Sequence, residues 1–225
     1  MDESLARALR EAWAKVKERY LAYELLMPGD PSFICLTERC PQHCCRPFSV
    51  SLGERERARM ERTSGLPARA FLECDETGEP ILLPLAQPYL LARRDGACAL
   101  LGEHMLCGQY EGRPDACRLY PHFILAFDGP TMRPLHDDLP RIRAAVARLD
   151  DGAFDAHTPA VLVRHLQCPG FGGPSLPEHE WRSLLRETLA LQYPLDLVVG
   201  TTEQDSGREP LPPGDTVGAH TNAEH

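Results

Sequence analysis

A mainly α-helical fold with irregular cysteine-rich loops and one or two small β-hairpins is what the sequence predicts. Three observations predict it: apolar residues recur at helical spacing in several charged stretches, alternating segments are few and short, and cysteines bunch in the connections. With 225 residues the chain can bury a core without cross-links, so one domain is expected. Its parts are an N-terminal helix within 1–30 packing on the domain, a cysteine-bearing body at 31–175, a C-terminal helix at 176–200 and a disordered tail at 203–225.

Residues 3–26 place Leu5, Leu9, Trp13, Val16, Tyr20 and Tyr23 at helical spacing with charges between them, an amphipathic helix that ends before Pro28-Gly29. "FSVSLGERERARMER" predicts a short strand leading into a charged helix near 53–63. Its alternating Arg and Glu read as a solvated, salt-bridged and largely exposed face. "PYLLARRDGACALLG" alternates around the Asp95-Gly96 turn, a hairpin that carries Cys98, and "HFILAFDGPTMRPLH" predicts another pair of strands around Asp128-Gly129. Asp137 or Asp138 caps a helix with Leu139, Ile142, Val146 and Leu149 on one face. "TPAVLVRHL" reads as a further helix, Thr158 at the cap and Pro159 at the first helical position. A last helix over about 176–192 opens on a capping box, Ser175 and Glu178, and turns Trp181, Leu184, Leu185 and Thr188 inward. From Glu203 the chain is rich in Pro and Gly and poor in apolar residues.

A formal net charge of −9 argues against a phosphate-backbone partner, which needs a basic surface. The first twenty residues are charged every few positions and no later run reaches spanning length, so neither a secretory signal nor a membrane anchor is read here. A cytoplasmic protein is expected. There thiols stay reduced, and an odd total of nine cysteines also disfavours a disulfide framework.

"CLTERCPQHCC" places Cys35, Cys40, Cys44 and Cys45 within eleven positions; Cys98, Cys107, Cys117 and Cys168 follow in a second group. Thiolates bind soft or borderline metals, and short separations let one backbone turn aim several sulfurs at one centre. In extended backbone the adjacent Cys44 and Cys45 would point to opposite sides, so they would serve two centres or one would be a supporting residue. Two four-sulfur sites, or one cluster with spare thiols, both fit. Cys74 stands apart and reads as a small buried core residue. His43 and His104 could replace a sulfur ligand but read more simply as loop residues. Arg113 and Arg118 flank Cys117 and either offset thiolate charge around a metal or lie solvated at the surface; Arg39 and Arg46, which flank the first group, read more simply as solvated surface residues. Tyr110 and Tyr120 read as packing beside the site and shielding it from water. A Cys–His nucleophile would use one activated thiol, and eight clustered thiols are a strange way to build one.

The C-x4-C-x3-C-C run, then "CALL", "CGQYEGRPDACRLYP" and "CPGFGG", resembles the YkgJ-type cysteine-cluster family, proposed zinc- or iron-chelating domains. The resemblance covers roughly residues 33–173, and "YEGRPDACRLYP", Tyr110 to Pro121, is its most specific element. It implies that Cys35, Cys40, Cys44, Cys45, Cys98, Cys107, Cys117 and Cys168 are metal ligands; Cys74 has no counterpart. The family run usually has two residues between its first three cysteines, where this chain has four and then three. The implied cofactor is zinc or an iron–sulfur cluster. Cysteines from distant segments, and Cys168 before Pro169, favour iron–sulfur. A related branch includes flagellin lysine methylases, which makes an iron–sulfur-dependent oxidoreductase or protein-modifying enzyme the alternative to a metal-binding module. No Gly-rich nucleotide loop follows a strand, and substrate and protein partner are not legible.

Overall fold

The computed structural model describes residues 1–40, 44–85 and 87–194. Along the chain run α1 (Glu3–Ala14), β1 (Tyr23–Leu25), β2 (Pro31–Phe33), β3 (Ser51–Leu52), α2 (Glu54–Ser64), β4 (Tyr89–Leu90), β5 (Arg93–Arg94), β6 (Ala97–Cys98), α3 (Asp115–Leu119), β7 (His122–Ala126), α4 (Leu139–Asp150), β8 (Ala160–His165), β9 (Phe171–Ser175) and α5 (Glu178–Gln192). The predicted tail at 203–225 lies outside the described residues.

The larger core forms on an antiparallel sheet of order β1-β8-β7, in register from His122↔Arg164 to Ala126↔Ala160 on one side and Tyr23↔His165 to Leu25↔Val163 on the other. β7 alternates strictly, His122, Ile124 and Ala126 buried and Phe123 and Leu125 half-buried, as a strand with one covered face must. α1, α4 and α5 supply the cover through Leu9, Trp13, Ile142, Leu149, Trp181 and Leu185. Each large apolar side chain so buried contributes about 1.5–3 kcal/mol. Trp181 also satisfies its indole N–H, which donates to the Leu26 carbonyl at 2.8 Å. Asp2 caps α1 by accepting from the Ser4 N–H at 3.1 Å, and Asp138 caps α4 by accepting from the Arg141 N–H at 3.2 Å. A smaller cluster, Leu52, Met60, Phe71, Leu72 and Leu91, gathers around α2 and the β3-β4 pair. α3 packs against both α5 and β3.

A mainly α-helical fold is overturned: among the described residues helix accounts for about 35% and strand for about 20%, and the strands form several small sheets. The largest single departure is "TPAVLVRHL", a strand and not a helix. Its short apolar run is equally long for either element, and Val161 and Val163, β-branched and fully buried between β1 and β7, decide for the sheet. The predicted 3–26 helix stops at Ala14; Tyr23 belongs to β1, where the sheet offers its backbone a partner. Around Asp128-Gly129 the returning segment makes only the Phe127↔Pro134 bridge, and β7 pairs instead with β8. No capping box opens α5: its cap is Pro177, without a side-chain hydrogen bond, and Ser175 ends β9. The Asp95-Gly96 hairpin is present, with φ of +50° and +73° at its two central residues, the mirror-image turn that matches strand twist. No helix among the described residues is long and apolar enough to cross a membrane.

Candidate metal centre

Four separated segments deliver the thiols. The first is fixed by β2, which pairs with β9 at Pro31↔Ser175 and Phe33↔Phe171, and by the Ile34 N–H, which donates to the Gly170 carbonyl at 2.8 Å. This brings Cys35 beside the Cys168 turn. A Cβ at Gly170 would lie 2.6 Å from the Phe33 ring and 2.7 Å from the Ile34 carbonyl oxygen, so the approach requires glycine there. Cys40 follows the 3-10 turn Thr37–Arg39, which packs against a second such turn, Glu103–Met105, just ahead of Cys107. Thr37 and Met105 hold left-handed backbone, φ +47° and +58°; for a β-branched threonine this is strained, as is frequent where a loop is clamped for function.

The other segments close on Cys45. The Cys98 N–H at the end of the β5-β6 hairpin donates to the Cys45 carbonyl at 2.8 Å. Cys107 pairs back through the Leu101↔Cys107 bridge. Cys117 rides on α3. Arg93 laces the hairpin to the first cysteine loop: its guanidinium donates to the Phe48 carbonyl at 2.7 Å, the Gly96 carbonyl at 2.8 Å and the Arg46 carbonyl. Nothing in the sequence around Arg93 distinguished it from any other strand arginine, and sequence reasoning missed it.

Charge binds these sulfurs into two overlapping groups. Burial first, then the neighbouring Cys98, Cys107 and Cys44 thiolates, push the Cys117 thiol up to about 12. Cys98 is raised by burial and by Cys107 and Cys44; Cys168 is raised by burial and then by Cys40, Cys44 and Cys35. Cys45 donates its thiol hydrogen bond to Cys44, which lowers Cys44 to about 7 with help from the Arg113 guanidinium, and raises Cys45. The adjacent pair therefore does not diverge. Cys44 and Cys45 sit in a turn rather than extended backbone, and the turn brings their sulfurs together. Among the described residues no three His, Cys, Asp or Glu side chains stand close enough to close on a single ion.

The supporting residues divide. Arg113 stacks on the Tyr110 ring at 4.0 Å and acts electrostatically on Cys44 and Cys117, while Tyr110 is largely exposed. Tyr120 hydrogen-bonds the Cys168 thiol and packs on Phe48 and His165 at 5.3 and 5.5 Å. Arg118 lies 3.9 Å from Asp115, on its own helix. Arg39 and Arg46 are exposed. Cys74 is half-buried rather than buried, its thiol 3.5 Å from the Leu72 carbonyl. His43 and the side chain of His104 lie outside the described residues.

Reduced thiols of four segments in one charge-coupled neighbourhood define a cysteine-cluster, metal-chelating class of domain. Residues 34–139, a little under half of the chain, match the family model CxxCxxCC, described as "Putative zinc- or iron-chelating domain", which is consistent with a cysteine-cluster family. The match spans every candidate ligand except Cys168. No curated protein and no solved structure matches the chain. The match supports metal binding in general, with zinc or iron as the class of metal.

Proposed function

We propose that the chain holds its metal through thiolates in two neighbouring groups, Cys35, Cys40, Cys44 and Cys168 in one and Cys45, Cys98, Cys107 and Cys117 in the other, with an iron–sulfur centre preferred over zinc. The observation that carries this reading is that thiols from separated segments act on one another by charge, Cys98, Cys107 and Cys44 on Cys117 and Cys40, Cys44 and Cys35 on Cys168, a cost that a bound cation removes. The donor set fits either metal, since all eight are soft sulfur ligands. Two features favour the larger inorganic unit. The sulfurs arrive from distant segments, and Cys168 precedes Pro169. When bound, such a cluster supplies one-electron chemistry, and zinc supplies a closed structural site. The chain's own residues hold the loops: Tyr120 hydrogen-bonds Cys168, and Arg113 offsets charge at Cys44 and Cys117. A reducing cytoplasm keeps such thiols available, and an acidic chain of net charge −9 is a poor partner for nucleic acid.

Anaerobic purification with metal and acid-labile sulfide analysis tests it. Iron with stoichiometric sulfide and a brown colour is the expected result. Stoichiometric zinc in a colourless protein replaces the cluster with a structural module, and a fully folded protein that takes up neither metal overturns the function.

A further inference from the structure

α2 was expected to be a solvated helix, and one of its faces is. Arg57 bonds Glu54 and Glu61 there, and Tyr89 donates to Glu54 at 2.8 Å. The opposite face is built differently. Glu56 is only 6% exposed, yet it carries a carboxylate with two backbone donors on it: Oε2 accepts from the Gly53 N–H and Oε1 from the Asp115 N–H, each at 2.8 Å. One carboxylate thus closes the start of α2 and the start of α3, which carries Cys117. One turn on, Arg59 donates through Nη2 to the Asp115 carboxylate at 2.7 Å and to the Arg113 carbonyl at 2.9 Å. At Gly112 a Cβ would lie 2.0 Å from Thr63 Oγ1 and 3.5 Å from Met60 Cα, so that backbone lies directly on the helix. Glu56, Arg59, Met60 and Thr63 stand at i, i+3, i+4 and i+7, a single stripe of α2.

We propose that this stripe is a seat for residues 112–117, and that Glu56 and Arg59 are positioning residues that hold Cys117 and Arg113 toward the thiol cluster. The proposal rests on the thiolate metal centre described above. A carboxyl group nine-tenths buried is retained against its desolvation cost only with partners, and both of its partners here are backbone donors that define where a ligand-bearing segment begins. Arg57 and Glu54, on the solvated face of the same helix, reach no part of this segment.

The test uses the full chain in two states. In the metal-stripped protein, alkylation of Cys117 by iodoacetamide, followed on its peptide by mass spectrometry, should accelerate about tenfold or more in Glu56→Gln and in Arg59→Ala, with Cys74 unchanged as internal reference. In the metal-loaded protein the same variants should lose about ten- to hundredfold in metal affinity in a chelator competition, the usual range for groups that orient a ligand. Glu54→Gln should move neither. Both tryptophans, Trp13 and Trp181, lie in the larger core, so their fluorescence reports that this core has folded in each variant, and protease resistance of residues 44–119 in the metal-loaded variants reports the same for the region around α2. Unchanged Cys117 alkylation in folded Glu56→Gln and Arg59→Ala overturns the seat. If the parent chain binds no metal while its variants still expose Cys117, the metal reading fails and the seat stands as a device for orienting that thiol. Equal effects from Glu54→Gln would also overturn the proposal, since any loss of charge on α2 would then suffice.

Discussion

The region built on β1, β7 and β8 and the region between Cys44 and Leu119 are held together by different forces. Among the described residues the first buries twenty side chains in one cluster, and the second buries five. What the second lacks in apolar contact it makes up in polar ties from buried or half-buried side chains to backbone: Glu56 to two N–H groups, Arg93 to three carbonyls, Glu61 to the Ala68 N–H at 2.9 Å. Such ties fix geometry, but each contributes only about 0.5–1.5 kcal/mol net, or about 1.5–3 where one partner is charged. A region so built specifies where its thiols go without supplying much stability of its own.

The sharpest way to break this contrast is to take the metal away. Structural metal binding couples to folding with apparent free energies of about 10–16 kcal/mol in small zinc domains, so even a fraction of that exceeds what a five-residue cluster provides. Chelation, or Cys117→Ser, should lower metal content and make residues 44–119 protease-sensitive together. Fluorescence from Trp13 and Trp181 should keep its native emission. A shift of that emission in step with metal loss would show one cooperative unit and dissolve the distinction.

The converse perturbation is Trp181→Ala. Its side chain is fully buried among α1, α4, α5 and the sheet, and its loss removes both a large apolar surface and the hydrogen bond to Leu26. A cost of about 3–5 kcal/mol is expected, read as a lower denaturant midpoint. Metal bound per folded molecule should not change. If it falls, the larger core supports the site more directly than its packing indicates.

A smaller and pH-gated effect belongs to His122, which β7 buries between Phe33 and Phe171 with ring centroids 5.7 and 5.5 Å away. Its Nε2 meets no partner among the described residues, and burial holds its pKa down to about 4 from an ordinary 6.5. For a base lowered in the folded state, the unfolded chain binds the extra proton. Its stability is therefore complete above pH 6.5 and is lost as pH falls through 4, an upper limit of about 3 kcal/mol. His122→Leu should flatten the midpoint against pH across that window relative to the parent. Parallel curves would mean that His122 finds a partner on acidification.

How much of this was legible in the sequence follows the same division. α4, with its Asp138 cap, and the Asp95-Gly96 hairpin were readable because their signals are local: a cap side chain, a turn dipeptide, a 3.6-residue period. β8 was not, since an apolar run as short as Ala160–Val163 carries no period that separates helix from strand, and only the presence of β1 and β7 on either side settles it. The thiols were legible as a group from spacing. Their arrangement was not: the turn at Cys44 and Cys45, the Arg93 lacing and the α2 seat all depend on contacts tens of residues apart. "ERERARMERT" in particular looks uniformly solvated, because a buried Glu56 and a surface Glu54 are the same letter until the partner segment is in place.

The smallest expected effect sharpens the site's edge. Cys74 is the ninth thiol, and it lies on a separate segment, bridged to Pro80, with its sulfur facing the Leu72 carbonyl. A weak S–H···O contact at 3.5 Å in a half-buried position is worth little, and serine keeps a donor in the same place. Cys74→Ser should therefore leave metal content unchanged and stability within about 0.5 kcal/mol, the ordinary range for a substitution away from the core. Metal analysis of this variant beside Cys117→Ser checks the boundary with one measurement. Loss of metal from Cys74→Ser would mean that the strand pair around residues 72–80 reaches the cluster, and that the line between the thiol groups and the rest of the chain is drawn in the wrong place.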